Sequence, residues 1–168
     1  MLLLTLLLAF ASDMHPQDLV ETLGPAAWAD APAPVVDALN EAGCRIPQPV
    51  NATGKANLIR GRFAHSYQQD WAALCIDDAE HAHIEVVWTG DMLCPSLAPT
   101  PVDLQHASIA TASPKLMHKY ETLYGVNDRA PLATHDGIEF SAAGQQSIVY
   151  FCVNGEWAER QGRSSSNN

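Results

Sequence analysis

The chain has 168 residues, 47% of them hydrophobic, and a formal charge of −10. That length fits one ordinary domain with its own core, and the composition excludes wholesale disorder. Its nine Lys and Arg are scattered, which excludes binding to a phosphate backbone, because counterion release needs clustered cations; nucleic acid is not an expected partner.

The chain begins MLLLTLLLAFAS. Residues 2–10 are almost entirely apolar and too short to span a bilayer as a helix. Ala9-Phe10-Ala11 is an A-x-A pattern, so 1–11 reads as a signal peptide cleaved before Ser12, although no Lys or Arg precedes the apolar run. The alternative is a buried N-terminal strand or helix. Residues 12–33 are rich in Ala, Pro and Asp. They read as a flexible segment with a short helix over 18–23, ended by Gly24-Pro25. One folded domain is expected over 34–160.

Pro34 opens a helix carrying Val35, Val36 and Leu39, with Gly43 as its C-terminal stop. Cys44 follows at once. A three-strand meander comes next, over 57–63, 70–76 and 83–89, with polar turns between. In the second strand Trp71, Ala73 and Cys75 share one face and Ala72, Leu74 and Ile76 the other. Both faces are apolar, so this strand is central and covered on both sides. The third alternates, with Ile84, Val86 and Trp88 inward and His83, Glu85 and Thr89 outward.

Residues 94–101 hold three prolines and form an irregular connection. Ser113-Pro114 is an N-cap followed by proline at the first helical position. Leu116, Tyr120, Leu123 and Tyr124 then fall on one stripe of a helix ended by Gly125. Asn154-Gly155 lies between alternating runs and predicts a type I′ hairpin with Cys152 opposite Trp157. The tail 161–168 is polar and expected to be disordered. The predicted fold is α+β: antiparallel sheet, built from a meander and a C-terminal hairpin in five to seven strands, with two or three helices against it.

Four cysteines, Cys44, Cys75, Cys94 and Cys152, form no C-x-x-C pair, so a zinc knuckle or thioredoxin-like motif is disfavoured. In an exported chain an even count reads as two disulfides; the alternative is four buried thiols. Cys44 leaves a helix just before the meander and can reach the central strand at Cys75. Cys94 lies where a Pro-rich loop needs tying down, and Cys152 offers a rigid strand. The expected pairs are therefore Cys44–Cys75 and Cys94–Cys152. Asn51-Ala52-Thr53 is a glycosylation sequon, relevant only in a eukaryotic secretory route.

The stretch DWAALCIDDAEHAHIEVVW raises the question of a metal or catalytic site. His81, His83 and Glu85 share a parity, and two imidazoles with a carboxylate suit zinc. The simpler reading is the wet end of a hairpin, since outward residues of a half-exposed strand are polar; no metal or other cofactor is expected. His135-Asp136-Gly137 places a histidine beside a carboxylate, yet Asp-Gly is first a turn dipeptide. Glu139 and Glu156 are candidates for an acid pair. No G-x-S-x-G or H-E-x-x-H occurs. Trp71, Trp88 and Trp157 are expected in the core; an exposed one would mark a glycan or protein contact.

Three segments resemble a group of uncharacterised exported bacterial proteins: Gly43-Cys44-Arg45-Ile46-Pro47, then Gly61-Arg62-Phe63 with residues 68–75, and Tyr150 with Gly155-Glu156-Trp157. The resemblance spans about two-thirds of the chain and implies folding and export. The first hairpin also faintly resembles the strand-loop-strand units of FG-GAP and VCBS-type propeller blades. Its loop, residues 65–70, holds one carboxylate, so their calcium site does not carry over. The functional expectation is a secreted or periplasmic domain that binds a protein, glycan or envelope component without catalysis, and has no membrane contact after signal cleavage. The alternative is a small secreted hydrolase using carboxylates or histidines.

Overall fold

A computed structural model of the chain describes residues 20–77, 81–91, 94–98, 103–125 and 132–164. The leader expected over 1–11 lies outside them, as do Asp78, Ala79 and Glu80. The fold is α+β and mostly β, with every strand pairing antiparallel. Its strands form three sheets among the described residues, where sequence periodicity led us to expect one. A short ribbon pairs β1 (Thr22–Leu23) with β2 (Ile46–Pro47). The meander joins β3 (Leu58–Gly61), β4 (Asp70–Ile76) and β5 (Ala82–Val87). A second meander joins β6 (Ser108–Ala112), β7 (Gly137–Ser141), β8 (Ile148–Val153) and β9 (Glu156–Gln161).

The two larger sheets face each other, and each carries a helix on its outer side. Ala72, Leu74, Ile76, Ile84 and Val86 of one sheet pack with Ile109, Ile138, Phe140 and Tyr150 of the other. On the outer face of the first sheet, Trp71, Ala73 and Cys75 lie under α1 (Ala33–Glu41) through Val35 and Leu39. On the outer face of the second, Val149 and Phe151 lie under α2 (Pro114–Tyr124) through Met117 and Tyr120. Strand β4 is buried along its whole length, because its even and odd residues serve two different cores.

The local signals work as read. At the end of α1, Gly43 takes φ +66°, Cys44 N–H donates to Leu39 O at 2.9 Å and Gly43 N–H to Asn40 O at 3.0 Å. This is a Schellman motif. It turns the chain so that Cys44 meets Cys75, Cα–Cα 4.9 Å. Ser113 Oγ caps α2 by accepting from Leu116 N–H at 3.3 Å. Asn154 and Gly155 both have positive φ, as a type I′ turn requires, and Cys152 stands opposite Trp157. Cys94 bonds to Cys152 with Cα–Cα 6.1 Å.

Three expectations need correction. Thr22–Leu23 is a strand, not the end of a helix, and Trp28 is buried against the core under α1. The Ala- and Pro-rich composition concealed that one tryptophan is enough apolar surface to anchor the segment. Of the tail expected over 161–168, residues 161–164 are bonded to the fold, and 165–168 lie outside the described residues. Strand β9 runs through Gln161, Arg163 N–H donates to Glu139 Oε1 at 3.1 Å, and Ser164 N–H to the Tyr124 hydroxyl at 3.1 Å. Finally, Leu123 is exposed while Met117 is buried. Helix α2 is rolled toward Met117 because polar bonds on that side, Tyr120 to Glu139 and Arg160 to Glu121, fix its orientation.

Candidate functional site

The acidic patch is divided among structural tasks. His81 sits just before β5, where its backbone N–H donates to Asp77 Oδ1 at 2.9 Å and its ring lies 3.5 Å from Asp77 Oδ2. His83 and Glu85 do meet, Nε2 to Oε2 at 4.0 Å, on the α1 side of the sheet, where His83 faces Cys75. Glu85 accepts from the Ser96 hydroxyl at 2.6 Å. Next to that bond, Ile84 and Leu97 exchange backbone hydrogen bonds of 2.7 and 3.0 Å. The outward face of β5 thus fastens the Pro-rich connection. Among the described residues no group of three or more His, Cys, Asp or Glu is placed to hold a metal ion.

The His135-Asp136 pair is buried and engaged. The His135 ring stacks on Phe151, centroids 4.3 Å apart. Asp136 accepts from the Arg62 backbone N–H at 3.0 Å and from its Nε at 3.2 Å, while Asp136 N–H donates back to Arg62 O. This clasp joins the β3–β4 loop to the start of β7. Glu139 is buried too: it accepts from Tyr120 OH at 3.1 Å, Ser147 Oγ at 2.5 Å and Arg163 N–H. Glu156 lies at the exposed hairpin turn, four residues along β9 from Arg160, the residue in line with Val149 and Glu139. The structure does not bring the two glutamates together.

Few groups have displaced pKa values. Burial raises Tyr120 above its usual value, helped by the Glu139 charge, and burial raises Tyr150 as well. Burial lowers Arg160, which lies over the Phe151 ring at 5.3 Å and pairs with Glu121. The His106 ring nitrogen, 2.7 Å from Asp103, holds that exposed carboxyl below its usual range. Two open hollows stand out among the described residues. One of about 250 Å³ is lined by Ser147, Glu159 and Arg160; one of about 580 Å³ is lined by Glu21, Gln48, Val50 and Lys55. Neither contains His83 or His135.

Two polar hubs escaped the sequence reading. Asn57, at φ +70°, donates to Pro47 O at 2.7 Å and Ala107 O at 3.2 Å and accepts from Ile109 N–H at 3.0 Å, stitching three parts of the fold. Asp70 is fully buried and accepts from Gln68 Nε2 at 2.7 Å, Thr89 N–H at 3.0 Å and Ala64 N–H at 3.2 Å. The Gln-x-Asp-Trp spacing was the visible sign of this hub.

Asp70 and Asp136 together hold the loop 62–69 from within and from the side. Phe63 and Ala64 are buried, yet Tyr67 at the tip is 84% exposed. The His65 ring stacks on it, centroids 5.1 Å apart at 15°. The tryptophans do not supply such a platform: Trp71 and Trp28 are buried. Trp88 and Trp157 stack on each other at 6.2 Å, and Trp157 Nε1 donates to Pro95 O at 2.7 Å.

No known protein-family model, curated protein or solved structure matches the chain. Function therefore has to be read from the geometry.

Proposed function

We propose that the chain is an exported, disulfide-stabilised domain whose work is non-catalytic binding of a protein, glycan or envelope component. One observation carries this reading. An aromatic side chain, Tyr67, is held out into solvent at 84% exposure on a loop whose two flanks are clamped by buried carboxylates. Exposing such a ring forfeits roughly 1.5–3 kcal/mol of burial, and a braced loop loses little further freedom when a ligand arrives.

Export is supported by the signal-like start of the sequence and by the two disulfides, which persist in oxidising compartments. No helix among the described residues is long and apolar enough to cross a membrane. The hydrolase alternative is the weaker reading, because His83, Glu85, His135, Asp136 and Glu139 are each engaged by protein partners.

Co-sedimentation of the purified protein with cell-envelope fragments tests the proposal. Saturable pelleting with no turnover of ester, peptide or glycoside substrates is the expected result. Turnover that disappears in His83→Ala or Glu139→Gln would overturn it.

A further inference from the structure

The exposed residues around Tyr67 come from two loops that are bonded into one surface. Thr89 Oγ1 donates to Gln69 O at 2.6 Å, and Gln68 Nε2 reaches Asp91 O at 3.4 Å as well as Asp70. Gly90 lies so close under Gln68 that an added Cβ would meet Gln68 Oε1 at 2.5 Å. Both loops leave the same end of the first sheet, since Gly61 pairs with Asp70 and Val87 with Trp71. Ser66, Tyr67, Gln69, Thr89 and Asp91 are all exposed there. His65 covers one face of the Tyr67 ring, which leaves the other face to solvent.

We propose that this surface binds a saccharide, with one pyranose ring stacked on the free face of Tyr67 and its hydroxyls bonded to Gln69, Thr89 and Asp91. The inference rests on the binding reading above and names the ligand class for it. The size of the apolar element decides between partners. A stable protein interface buries about 800 Å² per partner around an apolar centre. Among the described residues of the two loops, one exposed aromatic ring is accompanied by exposed hydroxyl, amide and carboxylate side chains and by no second exposed apolar residue. One ring face matches one sugar ring, whose axial C–H bonds pack on the π surface while its equatorial hydroxyls need polar partners nearby. A rigid, amphipathic tyrosine supplies both kinds of contact at low entropic cost. The bracing by Asp70 matters for the same reason: weak individual contacts add up only if the surface is already in place.

Backbone amide NMR of the full chain, titrated with chitohexaose, cellohexaose and maltohexaose, tests this. At least one of them should shift the amides of residues 65–69 and 89–91 in a saturable way. Tyr67→Ala should weaken that binding by about tenfold or more, the size of a lost aromatic contact, with an unchanged melting temperature, while Tyr67→Phe keeps it. No shift with any of the three, or binding that Tyr67→Ala leaves intact, would overturn the saccharide assignment. The envelope assay separates the two levels of the argument. If periodate-oxidised fragments, stripped of intact sugar rings, still bind the protein, the saccharide fails and a protein partner takes its place. If untreated fragments do not bind, the binding reading fails with it.

Discussion

Asp70 is fully buried and accepts from three residues, which makes it a test of how the β3–β4 loop is held. Its carboxylate satisfies donors on Ala64, Gln68 and Thr89; Gln68 Nε2 also reaches Asp91 O at 3.4 Å, but the Ala64 and Thr89 backbone N–H groups would lose the acceptor they use. Buried donors left without partners are expensive, so Asp70→Ala should cost about 3 kcal/mol, whereas Asp30→Ala, at an exposed position, should stay within about 0.5 kcal/mol. Urea unfolding midpoints measure both. Gly137 shows the opposite kind of constraint. Its sequence setting is that of a turn dipeptide, yet it opens β7, where an added Cβ would meet Tyr150 O at 2.8 Å. Asp136 and Gly137 sit side by side because one clasps Arg62 and the other lets β8 come close.

At the scale of elements, what could be read in advance was local. Gly43 needed only its own helix, and Asn154-Gly155 only its two strands. Ser113-Pro114 needed only the turn that follows. The division into separate sheets was not legible, because nothing in a strand's alternation says which other sheet its buried face will meet. Asn57 was invisible for the same reason: its partners Pro47, Ala107 and Ile109 lie 10 to 52 residues away. The roll of α2 belongs here too. The sequence stripe includes Leu123 and omits Met117, because Glu139 and Arg160, which orient the helix, are remote in sequence. That docking should be sensitive to alkali. Burial raises the Tyr120 pKa, so the folded state holds the phenol proton more tightly than the unfolded chain does. The corresponding stability is fully present below pH 10, the unfolded value, and is lost as pH rises from there through the raised folded value. Tyr120→Phe should cost about 1 kcal/mol at neutral pH and make the decline above pH 10 shallower, as thermal melts across pH 8–11 would show.

For the molecule as a whole, the disulfides set the scale of stability. They close spans of 31 and 58 residues, and the chain-entropy estimate assigns each about 4 kcal/mol, against ~5–15 kcal/mol for a typical domain. Calorimetry in strong reductant should therefore show a melting temperature many degrees lower or no cooperative transition at all. An unchanged transition would mean that the crosslinks only decorate a core already sufficient. Their placement divides the labour. Cys44–Cys75 pins a helix to the first sheet, and Cys94–Cys152 ties the connection leaving that sheet to the second. The same arrangement limits how far the domain can be drawn out. A chain pulled from both ends cannot pay out the residues inside a crosslinked span, so these two bonds withhold about 300 Å of contour at ~3.4 Å per residue. Under tension the domain would behave as a tether cut to about half its contour by two locked coils, and only reducing conditions would let it run out to full length.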